Sequence, residues 1–236
     1  MYSIVADIHT HTLASGHAYG TIREMAQAAS GKGLSILGIT EHAPGIPGTT
    51  HPFYYLNLRS VPKTLFGVRI LHGSEINIMN DGSLSLEERY IAVLDYAIAG
   101  IHSTCYQDEG KARNTENVAS AMKHPRVKLI SHPDDDHTPL DYKRLAEAAR
   151  ETGTALEVNS SSFLKPEHRL NCFENYRQML YFCREMNVPV VISSDAHDPS
   201  QVGCVDPALA LLESVSFPES LVLNTDPGKL LDFLLS

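Results

Sequence analysis

Nine side chains of only two chemical kinds, imidazole and carboxylate, stand out in this 236-residue chain: His9, His11, His17, His42, Glu75, His102, His132, Asp195 and His197. Neutral imidazole is a ligand for zinc, iron and similar ions, and a carboxylate can bridge two cations while offsetting their charge. On an extended segment alternate side chains point the same way, so His9-x-His11 presents both rings to one side, and Asp195-x-His197 repeats the arrangement. The spacing therefore points to a cluster of transition-metal ions. Such a cluster is suited to hydrolysis, because bound cations acidify water and stabilise developing negative charge.

Neighbouring polar residues receive supporting roles. Asp7 lies two positions before His9 and is expected to orient a ligating ring, and Glu41 is expected to point away from its neighbour His42. His51, His72, His124, His137 and His168 read as surface or supporting residues, and Asp134, Asp135 and Asp136 as a solvated acidic loop. Lys111 and Arg113 are candidates for an added phosphate contact. Cys105, Cys172, Cys183 and Cys204 form no Cys-x-x-Cys pair and read as reduced thiols.

The elements that must gather these residues follow from periodicity. Short apolar runs predict strands at Ile4–Ala6, Ile36–Ile39, Val68–Leu71, Tyr96–Ala99, Val127–Ile130, Ala155–Val158 and Val190–Ile192. Amphipathic segments between them predict helices. Thr21-x-x-Glu24 and Asn171-x-x-Glu174 resemble capping boxes, Asp141 caps a helix closed by Gly153, and Pro227 opens a last helix. Residues 43–64 have no clean period and predict a long loop with one helical turn, in which His51, Phe53, Tyr54 and Tyr55 are candidates to cover a substrate. Strand alternating with helix predicts a parallel α/β barrel, and the candidate ligands fall just after the strands. In such a barrel these ends share one face, where active sites are assembled.

Composition narrows the function further. The length suits one domain spanning residues 1–236, and the formal charge of -9 without a clustered Lys/Arg stripe makes nucleic-acid binding unexpected. No apolar run approaches the roughly 20 residues of a membrane span. The polar, histidine-bearing start reads as lacking a signal peptide, so the expected location is cytoplasmic. Neither a Gly-x-Ser-x-Gly elbow nor a phosphate-binding P-loop is found. A homo-oligomer is compatible with all of this.

Taken in order, several motifs carry a family resemblance: Asp7-Ile8-His9-Thr10-His11-Thr12, Ser15-Gly16-His17-Ala18-Tyr19, Ile39-Thr40-Glu41-His42, Gly73-Ser74-Glu75-Ile76-Asn77, Ala99-Gly100-Ile101-His102, Ile130-Ser131-His132-Pro133, Leu156-Glu157-Val158-Asn159-Ser160-Ser161-Ser162-Phe163 and Ser193-Ser194-Asp195-Ala196-His197. The chain resembles the PHP (polymerase and histidinol phosphatase) family, and within it the small stand-alone trinuclear-zinc phosphatases of the YcdX type. The resemblance implies a distorted (βα)7 barrel with the metal cluster at the C-terminal strand ends. It also implies two or three divalent ions, zinc first and manganese or iron as alternatives. By motif, His9, His11, Glu75 and Asp195 would hold one ion, Glu75 with His102 and His132 a second, and His17, His42 and His197 a third. Glu75, Asp195, His102 and His132 are then the expected catalytic group, acting on a small phosphomonoester through attack of a metal-bridging hydroxide. A phosphodiesterase or nuclease is the alternative, and a metal-binding module without turnover a weaker one.

Overall fold

Stretches of Val, Ile, Leu and Ala that are buried on both faces form the strands, as expected for a parallel sheet covered by helices. The computed structural model describes residues 2–236. In chain order its elements are β1 (Ala6–Asp7), α1 (Ile22–Gly31), β2 (Ile36–His42), α2 (Phe53–Leu56), β3 (Thr64–Leu65), β4 (Val68–Asn77), α3 (Glu88–Ile91), β5 (Ala97–Gly100), α4 (Lys111–Ala121), β6 (Val127–Ile130), α5 (Tyr142–Thr152), β7 (Ala155–Asn159), α6 (Cys172–Met186), β8 (Val190–Ser193), α7 (Asp206–Ser214) and α8 (Pro227–Leu235). Seven strands run parallel in the order β1-β2-β4-β5-β6-β7-β8, and β3 adds an antiparallel flap on β4. All seven expected strands are present, six of them with shifted ends and Val127–Ile130 unchanged. The first moves to Ala6–Asp7, while β2 and β4 run on to His42 and Asn77, so Glu41, His42 and Glu75 lie on strands and not after them.

The sheet curls into a barrel whose first and last strands meet at a seam. Direct pairing there is confined to a parallel bridge between Thr10 and Ala196, reinforced by the His11 amide donating to the Ala196 carbonyl at 2.8 Å. Lower down, the buried side chain of Asn224 fills the gap. Its Nδ2 donates to the carbonyls of Ala6 (2.9 Å) and Ile192 (2.6 Å), and its Oδ1 accepts from the Ile192 amide at 3.2 Å. Asp7 also works at the seam. Its carboxylate accepts from the Ser194 amide and hydroxyl and from the Gly203 amide, so the expectation that it orients a histidine ring is not met.

Inside the barrel Ala6, Ile8, Ile36, Leu71, Tyr96, Ile98, Leu129, Ala155 and Val191 pack together, joined by Leu230 and Leu234 of α8 at the end away from the histidines. A larger cluster lies between the sheet and the surrounding helices. Three expected helix signals hold: the reciprocal Thr21–Glu24 capping box, the Asp141 cap with left-handed Gly153 at the far end, and Pro227 in the first turn of α8. The Asn171–Glu174 box does not form. Asn171 adopts a left-handed conformation (φ 58°), and its amide instead donates to Asp136 at 2.7 Å. The 43–64 loop contains the helical turn α2. The cysteines are unpaired, and among the described residues no helix is long and apolar enough to cross a membrane.

Candidate metal centre

All nine histidine and carboxylate side chains singled out above converge at the C-terminal mouth of the barrel. Register accounts for part of this, since His42 on β2 pairs directly with Glu75 on β4. His102 and His132 follow β5 and β6, which bring them within 3.3 Å and 2.8 Å of Glu75 Oε1. Close approach of the chains makes Gly100 obligatory, because a Cβ there would lie 2.1 Å from Ser131 Oγ and 3.4 Å from Glu75 Oε1. Two of the nine, His132 (φ 30°) and Asp195 (φ 52°), sit in the left-handed region that non-glycine residues seldom occupy. Backbone strain of this kind concentrates at functional sites.

Hydrogen bonding fixes which ring nitrogen faces inward. His9 Nδ1 donates to Glu157 Oε1 at 2.7 Å, which leaves Nε2 as the nitrogen that faces the cluster. For His11, Ser15 plays the same part. The Ser15 hydroxyl donates to Glu41 Oε2 at 2.6 Å and therefore accepts from His11 Nδ1 at 3.0 Å. His197 Nδ1 donates to the Asp195 carbonyl at 2.9 Å, which turns its Nε2 towards His17 Nε2, 3.2 Å away. Glu41 also accepts from the amide and hydroxyl of Thr12, so it secures the loop beneath His11, as its expected orientation away from His42 requires.

One side of the cluster, around Glu75 Oε2, is short of donors, although Glu75 Oε1 accepts from the Ser131 hydroxyl at 2.7 Å. Glu75 Oε2 lies 3.3 Å from His9 Nε2, 3.5 Å from His11 Nε2 and 3.0 Å from His42 Nδ1, yet neither Glu75 Oε2 nor His42 Nδ1 has a hydrogen-bond partner. Lone pairs buried face to face repel one another, and cations among them remove the conflict. Ligand-capable atoms lie within 4.8 Å of one another in three groups: His9, His11 and Asp195; His42, Glu75 and His102; and His11, His42 and His197. This grouping shares His11 and His42 between neighbours. The donor set of imidazoles and carboxylates fits divalent transition metals.

Electrostatics point the same way. Burial works against charge on Glu75 and Asp195, yet the surrounding histidines, His9 foremost, hold both carboxyls well below the usual range. For His9 itself, burial is outweighed by Glu157, Glu75 and Asp195, which hold its pKa well above normal, so without a cation the ring keeps a second proton on Nε2, the one a bound ion would replace. Burial and the neighbouring His42 and His197 push His11 well below, and burial together with Arg169 pulls His132 down to about 4.

Arg169 was not foreseen, nor was the structural part of Asp134. Asp134 is fully buried 3.5 Å from Arg169 Nη1, and not solvated, because the chain after His132 folds inward beneath the loop before α6. Burial pushes its carboxyl up to about 7 despite the arginine. The same guanidinium nitrogen lies 3.2 Å from His132 Nδ1. Lys111 and Arg113 are exposed on the first turn of α4 and do not border the cavity over the site, whereas Lys165 and Arg169 do. His51, Phe53, Tyr54 and Tyr55 do not line it either. Tyr55 is buried as a packing residue, its hydroxyl 2.9 Å from Ser74 Oγ, and the loop contributes Ile46 and Pro47 instead. His72 is buried outside the cavity with both ring nitrogens unpartnered, His124 pairs with Glu88, and His137 and His168 sit at the cavity rim. The residue sequence reasoning missed most clearly is Glu157. A lone acid in the apolar run Ala155–Val158 was the available signal.

The PHP domain model matches residues 7–161, and a model of RNase P subunit p30 matches residues 111–224. A protein of Caldanaerobacter subterraneus subsp. tengcongensis named a probable phosphatase is 42% identical over 233 residues, covering 98% of this chain and 91% of that one. A probable phosphatase of Syntrophotalea carbinolica is 38% identical over 229 residues, covering 97% and 95%. Among solved structures, histidinol phosphate phosphatase from Lactococcus lactis, complexed with zinc, L-histidinol and phosphate, aligns with TM-score 0.65 at 16% identity, covering 90% of this chain and 94% of that one. A chain of archaeal ribonuclease P with mature tRNA aligns with TM-score 0.64 at 16% identity, covering 96% and 90%. At these identities the two structures show a shared fold.

Proposed function

Because this chain belongs to the PHP domain family, we propose that it is a metal-dependent phosphatase that hydrolyses small phosphomonoesters. The observation that carries the reading is the unpartnered acceptor set around Glu75 at the mouth of an open cavity. His9, His11, His17, His42, Glu75, His102, His132, Asp195 and His197 would hold two or three divalent ions, zinc by preference and manganese or iron as alternatives. Bound there, such ions supply Lewis acidity, acidifying water and neutralising phosphate charge.

The chain's own residues do the rest. Glu75 offers one carboxylate oxygen towards His102 and His132 and the other towards His9, His11 and His42, so it can join two ion sites. Asn159 Nδ2 donates to Asp195 Oδ2 at 3.1 Å and leaves Oδ1 facing His9 and His11. Arg169, steadied by Asp134, and Lys165 bring positive charge to the cavity, where a phosphate oxygen is a better partner than solvent. An imidazole that binds a cation through Nε2 must keep its proton on Nδ1. For His132 that proton would face the donor-only Arg169, which favours a guanidinium turned towards an anion.

A phosphodiesterase or nuclease is the second reading, favoured by the RNase P p30 match over residues 111–224. Polymer binding draws on many phosphate contacts and counterion release, for which this chain of net charge -9 is poorly suited. The test compares kcat/KM on phosphomonoesters, bis-p-nitrophenyl phosphate and short single-stranded oligonucleotides at equal metal loading. Monoesters are expected to lead, with more than one equivalent of metal per chain and a loss of about a thousandfold or more in Glu75→Gln. Preference for the oligonucleotide at moderate salt would overturn the monoesterase reading.

A further inference from the structure

A cavity of about 780 Å³ opens from His42, His102 and His132 and runs between the β5–α4 and β6–α5 connections. That volume falls within the range of ligand pockets and is far more than one phosphate fills. Alongside Ser103, Thr104 and Thr138, part of its wall is aliphatic. Ile101 follows β5, Val118 comes from the inner face of α4, Ile130 ends β6, Leu140 precedes α5, and Ile46 reaches in from the long loop. Val118, Ile130 and Leu140 are 1%, 1% and 5% exposed, so this wall is packed into the core and formed in advance.

Charged groups that border the cavity are engaged or peripheral. Asp134 is tied to Arg169, and Asp135 Oδ1 accepts from the amides of His137 and Leu170. Lys165, Glu167 and His168 are exposed at the rim. The hydroxyls of Ser103, Thr104 and Thr138 also border the cavity. A polyhydroxylated or charged substituent placed against the aliphatic side chains, however, would lose water without gaining partners from them, whereas an apolar one would gain from leaving water.

We propose that the substrate carries, beside its phosphate, a bulky uncharged apolar group of one or two rings that occupies this chamber. The proposal rests on the phosphatase reading, and the experiment separates the two. With the zinc-loaded protein, kcat/KM is measured for ethyl phosphate, 2-phenylethyl phosphate and glucose 6-phosphate, all esters of primary alcohols. Calorimetry then measures Kd for the non-hydrolysable methylphosphonate and 2-phenylethylphosphonate. The phenylethyl ester is expected to exceed both others by about tenfold or more in kcat/KM, and the phenylethylphosphonate to bind about tenfold tighter than methylphosphonate. Ile46→Trp, at the loop side of the chamber, and Val118→Phe, at its base, should each shrink both ratios. Equal ratios within about twofold in the wild-type protein, or preference for glucose 6-phosphate, would overturn the chamber's assignment while leaving the phosphatase reading intact. Absence of turnover on every ester would overturn the phosphatase reading, and the phosphonate affinities would still decide what the chamber prefers.

Discussion

The side chains that touch a metal are only as useful as the partners that fix their protons. His9, His11 and His197 each pass Nδ1–H to an acceptor, and three different acceptors do the work: Glu157, Ser15 and the Asp195 carbonyl. Glu157 is the most connected of them. Besides His9 it accepts from the His132 amide at 2.7 Å, so one buried carboxylate sets a ring on β1's extension and the strained backbone after β6. Glu157→Gln is expected to weaken metal affinity by about 10- to 100-fold, read by competition with a calibrated chelator, with activity recovered at saturating metal. Unchanged affinity would assign Glu157 to packing alone. The candidate residues and their convergence were legible in the sequence because imidazole and carboxylate announce their chemistry, whereas the way they divide into groups was not. Nor were the supporting partners. Asp7, two residues from His9, looked suited to orient it, yet it spends its oxygens on Ser194 and Gly203, while the true partner lies 148 positions away. Sequence proximity carries no information about contacts across a barrel.

Among the elements, β4 does most to build the site, because its length turns one strand to two uses. Side chains alternate, so Glu75 faces the candidate metal site while His72, three residues earlier, faces the other side of the sheet. There His72 is buried with no partner for either nitrogen, and burial lowers its pKa to about 4 from the ordinary 6.5. The unfolded chain binds this proton first, so stability attributable to His72 is intact above about pH 6.5 and falls as the pH drops towards 4. In chelator-treated protein, His72→Gln should lose about 2 kcal/mol less than wild type between pH 7 and pH 5, as read from urea midpoints. An equal loss would show that the ring has a partner in solution. The strands themselves were visible as apolar runs, but their ends were not. Polar residues at the ends of β2 and β4 break the apolar pattern before the strand stops, and the candidate site draws on them. The false capping box at Asn171 has a related cause, since a tertiary contact with Asp136 outweighs the local motif.

At the scale of the molecule, the barrel is closed by side chains as much as by strand pairing. Asn224 makes three hydrogen bonds across the gap between β1 and β8, all buried. Asn224→Ala would leave the carbonyls and amide it serves unsatisfied and is expected to cost about 3 kcal/mol, measured as a fall in denaturant midpoint at unchanged slope. A loss below about 0.5 kcal/mol would mean that water takes its place. The general α/β barrel was legible from alternating patterns, whereas this wedge was hidden in the short turn Leu223–Thr225, which has no periodicity to read.

The seam also runs through the cluster of histidines. His9 and His11 belong to the first strand's extension, Asp195 to the segment after the last, and the three lie close enough to share one ion. An ion there would join two points separated by most of the chain, as a disulfide does, but reversibly and in proportion to free metal. Because the three ligands meet only in the closed barrel, mass action would raise stability by about 4 kcal/mol at a thousand times the dissociation constant. Chelation should accordingly lower Tm and speed hydrogen exchange at the His11 and Tyr19 amides, which donate across the seam to Ala196 and His197, well before it affects β5 and β6. Uniform exchange around the barrel would refute this. The barrel would then work as a clasp whose fastening is set by the cell's supply of metal.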